Sequence, residues 1–168
     1  ETLDPQDWEQ SKALMHQMVE DAFDYVKNIR ERKIWQEMPD DVLKTFESQI
    51  PQQPSDAESV YQDLQKNVLP YPMGNVHPRF WAWYMGNGTI SGVMGDFWAS
   101  IINPNLGGGN HAGHKVEEQV VNWIKDIVEF PKSSSGLLVS GGSMANYAAL
   151  AVARNVKAGY DIRTEGLR

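Results

Sequence analysis

The residues best placed to do chemistry are Ser140-Gly141-Gly142-Ser143-Met144-Ala145-Asn146. Before them, Gly136-Leu137-Leu138-Val139 has the aliphatic character of a buried strand. After them, Met144 to Lys157 is rich in alanine and leucine and predicts a helix. A chain that turns through glycines into a helix N-terminus is an anion site. Its first amides have no intrahelical partner, and the helix dipole favours negative charge there. Gly141 and Gly142 let a phosphate approach the backbone, and Ser143 can cap the helix or donate its hydroxyl. A tight strand–helix turn capped by Ser143, with no ligand, explains the same residues, and the turn alone leaves both readings open.

Other reactive side chains form weaker patterns. His111 and His114 lie in the glycine-rich stretch 105–114. Zinc sites use three or four ligands, and no nearby acidic residue pairs with these two, so no metal is expected. Lys115 opens a helix whose expected inward face is Val116, Val120, Ile124 and Ile127, and it reads as a solvated lysine. Phe80, Trp81, Trp83 and Tyr84 crowd together just before Gly86, Gly88, Gly92 and Gly95. Aromatics beside glycines suit a pocket wall of irregular backbone, with Phe80 and Trp81 assigned to core packing. The glycine turn lacks both the Gly-x-Gly-x-x-Gly pattern and a Gly-Lys-Ser/Thr ending, which argues against a nucleotide-binding module.

Composition narrows the class. The net charge of −7 and the scattered basic residues disfavour nucleic acid as a partner. No apolar run is long enough for a membrane span. The absence of cysteine excludes disulfides, thiolate ligands and a cysteine nucleophile within these residues. It also fits a reducing compartment, and a cytoplasmic location is expected. A chain of 168 residues has the length for one domain burying roughly 70% of its unfolded surface.

The elements that must position these residues follow from caps and periodicity. Asp4 as N-cap and Pro5 as first helical residue predict a helix whose stripe runs from Trp8 through Met15, Val19 and Phe23 to Ile29. Pro39-Asp40-Asp41 begins a second helix that ends before Pro51. Ser55-Asp56-Ala57-Glu58 is a capping box for a third, running to about Val68 and ended by Pro70 and Pro72. A fourth is expected from Val93 to Ile102, and Thr164 to Arg168 as a polar turn open to nicking. Three helices with few residues between them form a segment that needs a partner surface, and a small helical bundle packed on its own subunit explains the same residues.

Four segments in register carry a resemblance. Residues 139–154, Val-Ser-Gly-Gly-Ser-Met-Ala-Asn-Tyr-Ala-Ala-Leu-Ala-Val-Ala-Arg, resemble the phosphate-binding turn and helix of the pyridoxal-phosphate-dependent group II amino-acid decarboxylases. His77-Pro78-Arg79-Phe80-Trp81-Ala82-Trp83 is similar to that family's His-Pro-x-Phe-Phe-Ala-Phe segment. Gly92-Val93-Met94-Gly95-Asp96 resembles the helix start that follows it. Val116-Glu117-Glu118-Gln119-Val120-Val121-Asn122-Trp123-Ile124 resembles its Thr-x-Leu-Glu-x-x-x-x-Trp-Leu helix.

The resemblance implies an α/β architecture. Residues 1–72 would be an N-terminal helical flap that packs on a partner subunit. Residues 73–168 would begin the large domain of an aminotransferase-like, fold type I, pyridoxal-phosphate enzyme. It implies pyridoxal 5′-phosphate held at Gly142 and Ser143, and a substrate wall at Trp83, Tyr84, Met85 and Gly86. It implies a homodimer, and a remainder of the polypeptide carrying the Schiff-base lysine beyond Arg168. His114-Lys115 is not that lysine's motif, since it precedes the glycine turn and no tryptophan follows it. The implied reaction is decarboxylation of an aromatic or otherwise bulky L-amino acid to its amine. Gly107, Gly108 and Gly109 would leave room for a large substrate side chain. Met144 and Asn146 stand where animal aromatic decarboxylases have Glu and Thr, which leaves the substrate open. Aldehyde-forming oxidative deamination on the same fold and a non-catalytic phosphate-binding or interaction segment remain alternatives.

Overall fold

Aspartate side chains cap two of the helices in the N-terminal half. A computed structural model of the chain describes residues 2 and 4–166; Leu167 and Arg168, the end of the expected polar turn, lie outside the described residues. The described chain divides into two units, Glu1–Asp96 and Phe97–Arg168.

In the first unit, α1 spans Trp8–Lys27. Its N-cap is Asp7, whose carboxylate accepts from the Gln10 amide at 3.0 Å. Asp4, the expected cap, is held in a local turn by the Thr2 hydroxyl at 2.9 Å. Helix α2 spans Asp40–Thr45 and stops well short of Pro51. Helix α3 spans Ala57–Asp63 and runs on through a π turn, Leu64–Val68. Asp56 caps it, accepting from the Ser59 amide at 2.9 Å, so the cap lies one residue after the expected Ser55. The expected reciprocal bond is replaced, because Glu58 accepts from the Gln62 side chain at 3.2 Å.

Side-chain hydrogen bonds, more than apolar burial, tie α1 and its tail to α3. The Tyr61 hydroxyl donates to Asp21 Oδ2 at 2.6 Å, and Gln65 Nε2 donates to the same oxygen at 2.8 Å. Arg32 lies over the Tyr25 ring at 4.2 Å and donates to the Leu69 carbonyl at 3.2 Å. Gln36 donates to the Pro70 carbonyl at 2.9 Å. Gly74, at φ +93, passes so close to Ile34 that an added Cβ would overlap its carbonyl oxygen. His77 is buried and accepts from the Arg79 amide through Nδ1 at 3.0 Å.

The Tyr61 bond makes a pH prediction. Burial first, and then the Asp21 carboxylate, push the phenol from 10.0 up to about 12. The raised value means that the protonated form favours the fold. The stabilisation is complete below pH 10 and disappears as pH rises toward 12. In the full-length protein, Tyr61→Phe is expected to cost about 1.5 kcal/mol at neutral pH in denaturant unfolding. The difference from wild type should shrink as pH rises from 10 toward 12 and then reverse, because only wild type loses stability when the phenol ionises; a gap of unchanged size would refute the assignment.

In the second unit, α5 spans Ala112–Ile127, α6 spans Gly142–Ala158 and α7 spans Ile162–Glu165. The helix before them, α4, spans Ile90–Ile102 and crosses the division between units. Asp161 caps α7, so Thr164 and Glu165 are helical where a polar turn was expected. Gly136 to Val139 forms no strand, and no strand occurs among the described residues. Strands need a hydrogen-bonded neighbour, and the Leu138 amide bonds the Glu117 side chain at 2.9 Å instead.

The expected inward face of α5 is met only in part. Val120 is partly covered, as are Glu117, Val121 and Lys125, while Val116, Ile124 and Ile127 are exposed. Nor does the chain build the sizeable core its length allows. Among the described residues, the buried apolar side chains are Val42, Tyr61 and Ile162. No helix among them is long and apolar enough to cross a membrane.

Candidate functional site

The glycine turn has what an anion needs. Gly141 occupies the N-cap of α6 at φ 159 and ψ 174, with no side-chain cap bond. Ser143 therefore sits inside the first turn, and the reading in which it caps the helix is corrected. The first intrahelical bond runs from the Ala145 amide to the Gly141 carbonyl at 3.0 Å. The amides of Gly142, Ser143 and Met144 precede it and have no partner within the helix. No acidic residue lies in this first turn, as is also true of α4 and α5, whereas α1, α2, α3 and α7 each carry at least one there. A Cβ added at Gly141 or Gly142 would meet nothing within 4 Å, so the space over the amides is open. Positive helix dipole, free donors and open approach coincide at one corner.

The segment leading into that corner is gripped by α5. Besides the Glu117–Leu138 bond, Lys125 Nζ donates to the Ser134 carbonyl at 2.8 Å and the Lys132 carbonyl at 3.3 Å. Sequence reading missed this grip. Its trace was the four-residue spacing of Glu117, Val121 and Lys125, which puts them on one helix face.

The aromatic segment lies in the first unit. Residues 81–89 are irregular and exposed. The Phe80 and Trp83 rings meet edge to face, with centroids 5.5 Å apart. Trp81, expected in a core, is 88% exposed, because nothing among the described residues packs on it. Tyr84 is fully exposed, Trp83 and Met85 are largely so, and Gly86 has open space at its Cβ position.

The remaining reactive residues have local partners. His111 caps α5: its Nδ1 accepts from the Gly113 amide at 3.2 Å, and its Nε2 lies 3.0 Å from the Asn105 carbonyl. The His114 ring lies 4.7 Å from it. No group of three or more potential metal ligands occurs among the described residues. Lys115 is exposed and pairs with Glu118 at 2.9 Å, which holds the Glu118 carboxyl below its usual range.

Comparison with known proteins places this geometry in a family. Residues 39–166 match the model described as the pyridoxal-dependent decarboxylase conserved domain. An aromatic-L-amino-acid decarboxylase of Bacillus atrophaeus is 33% identical over 157 residues, covering 92% of this chain and 33% of that protein. Tryptophan decarboxylase 2 of Oryza sativa subsp. japonica is 26% identical over 156 residues, 90% of this chain and 31% of its own. A crystal structure of Oryza sativa TDC with PLP and tryptamine superposes with a TM-score of 0.75 at 18% identity, covering 98% of this chain and 35% of that one. The chain thus shares its fold with part of that structure, and it spans about a third of the length of the curated relatives it matches. With the family model covering most of its length, the chain belongs to the pyridoxal-dependent decarboxylase family.

Proposed function

We propose that the full-length protein is a pyridoxal-phosphate-dependent decarboxylase converting an aromatic or otherwise bulky L-amino acid to its amine and carbon dioxide. The observation that carries the reading is the uncapped, acid-free N-terminus of α6 at Gly142 and Ser143. These residues fit a phosphate ester: the first-turn amides have no partner within the helix, a Cβ at Gly142 would meet nothing within 4 Å, and Ser143 brings a hydroxyl to the same turn. The bound cofactor supplies an electron sink for the pair left at Cα when carbon dioxide departs.

This chain's own share is binding and orientation. The Gly142 and Ser143 amides hold the phosphate, and the Ser143 hydroxyl adds a donor. Trp83, Tyr84, Met85 and Gly86 form the wall that orients the substrate carboxylate and packs its side chain, and covering them excludes water. Of the three glycines expected to leave room for a large side chain, Gly108 supports it with open space at its Cβ position, whereas a Cβ at Gly107 would come within 3.1 Å of Asn105 Oδ1 and one at Gly109 within 3.8 Å of His111. The lysine that bonds the cofactor belongs to the remainder of the polypeptide, which completes an α/β, fold type I large domain begun at 73–168. Residues 1–72 dock on the partner of a homodimer, and the exposed Trp8, Val19 and Phe23 stripe of α1 supports that role. The enzyme works in the cytoplasm.

Aldehyde formation is the second reading. Phenylacetaldehyde synthase of Arabidopsis thaliana is 25% identical over 157 residues, close to the values of several decarboxylases. Purified full-length protein, incubated with tryptophan, tyrosine and smaller amino acids, separates the two. Carbon dioxide with an equal yield of amine, fastest on the aromatic substrates, is the expected outcome. Aldehyde with hydrogen peroxide and ammonia favours the second reading, and a preference for small amino acids defeats the substrate assignment.

A further inference from the structure

We infer that Glu117 is a positioning residue for the phosphate cradle, acting through the Leu138 amide; this rests on the cradle proposed at Gly142 and Ser143. Three anchors fix the segment that enters the cradle. Glu117 Oε1 accepts from the Leu138 amide at 2.9 Å. Gly136 lies directly on Val121, where an added Cβ would come within 2.9 Å of Cγ1. Lys125 Nζ holds the Ser134 carbonyl at 2.8 Å.

The pitch of the two partners explains why three anchors can engage together. Four residues along a helix advance about 6 Å, and two residues along an extended segment advance about 6.6 Å. Glu117, Val121 and Lys125 step by four, while Leu138, Gly136 and Ser134 step by two in the opposite direction. Segment and helix therefore run antiparallel in register. The last anchor is Leu138, three residues before Gly141. Whatever fixes Leu138 sets where the chain turns and where the α6 amides point. No strand among the described residues takes that amide; the carboxylate does.

The charge of Glu117 makes the role testable by sign. A carboxylate near a bound phosphate repels it, so neutralising Glu117 without losing its acceptor would leave binding unchanged or tighter. Losing the acceptor frees Leu138 and weakens binding. Glu117→Ala does both, and Glu117→Gln does only the first.

The test uses full-length apoenzyme titrated with pyridoxal phosphate, the phosphorus NMR resonance of the bound phosphate, and amide hydrogen exchange at Leu138 without cofactor. Glu117→Ala is expected to speed Leu138 exchange, shift or broaden the phosphorus resonance and raise the Kd about tenfold. Glu117→Gln should match wild type in exchange and resonance and bind as tightly or more tightly, and Glu118→Ala, whose carboxylate hydrogen-bonds exposed Lys115 and no atom of the segment, should match wild type. If the alanine variant does not accumulate, Glu117→Met fills the same volume without an acceptor and takes its place. Wild-type Kd and phosphorus resonance in the acceptor-free variant overturn the inference, as does a Gln variant that falls as far as the Ala variant. Gly142→Val, run alongside, separates the two claims. If it leaves the Kd unchanged, the cradle reading fails and this inference with it. If it weakens binding while Glu117→Ala does not, only the inference fails.

Discussion

Gly142→Val in the full-length protein is expected to raise the Kd for pyridoxal phosphate by about 100-fold or more, with little change in folding stability. The reasoning separates two consequences of one side chain. Within the fold, a Cβ at Gly142 meets nothing within 4 Å, and the residue has no left-handed φ, so valine fits the first turn without strain. At the cradle, the same branched side chain stands over the amides of the first turn and keeps a phosphate from reaching them. Two charge-assisted hydrogen bonds at about 1.5–3 kcal/mol each account for the loss. Gly142→Ala should show a smaller effect in the same direction, since a single methyl blocks less of the approach. Gly141 is a poorer target, because its backbone sits at φ 159 and a substitution there confounds conformation with access. Equilibrium titration of the apoenzyme, with thermal unfolding of the same samples, reads both quantities. A valine variant that binds the cofactor like wild type would remove the cradle from this corner.

Whether that corner could be read from sequence depended on how local its physics is. Helix α6 and its glycine turn were legible because both follow from residues within a few positions of each other: an alanine-rich run and two glycines that leave amides uncovered. Helix starts were legible to within a residue or a few. The choice of Asp7 over Asp4, and of Asp56 over Ser55, was not, because both candidates are competent caps and a neighbouring side chain decides between them. The strand at 136–139 was not confirmed. Its aliphatic composition describes what it needs beside it, and no described residue supplies that neighbour. The inward face of α5 held only at Val120, for a related reason. Val116, Ile124 and Ile127 mark a face suited to burial, but this chain presents Glu117, Val121 and Lys125 to its own segment. Periodicity gives the stripe and says nothing about which partner covers it. Trp81 and Tyr84 repeat the lesson, since aromatic composition marks covered surface without naming the cover. The Tyr61–Asp21 bond, 40 positions apart in sequence, left no local signal at all.

These uncovered faces lead to the other large prediction: the 168-residue chain expressed alone will not fold cooperatively. It exposes 14,807 Å², whereas a chain of 18.9 kDa folded around its own core exposes roughly 8,300 Å². The excess is about eight times what one partner contributes to an ordinary protein–protein interface. No accessory protein of usual contact size could cover it, whereas the proposed remainder of the polypeptide, with the proposed partner subunit, could. Much of the uncovered surface is apolar: α4 alone presents Val93, Met94, Trp98, Ile101 and Ile102. Without the cover, little apolar burial is left to offset the entropy of ordering the chain. The isolated chain should bind a hydrophobic dye strongly, lack a sharp thermal transition and exchange most amides rapidly, while the full-length protein does none of these. Trp123→Asp offers a matched test in the full-length protein. Trp123 is 55% exposed in this chain, so an aspartate there would cost little if the face stayed open. If the face is buried in the full-length protein, the unpaired charge should cost several kcal/mol and abolish accumulation of folded protein. A variant with wild-type stability, or an isolated chain that melts in one sharp step, would mean that these faces are never covered.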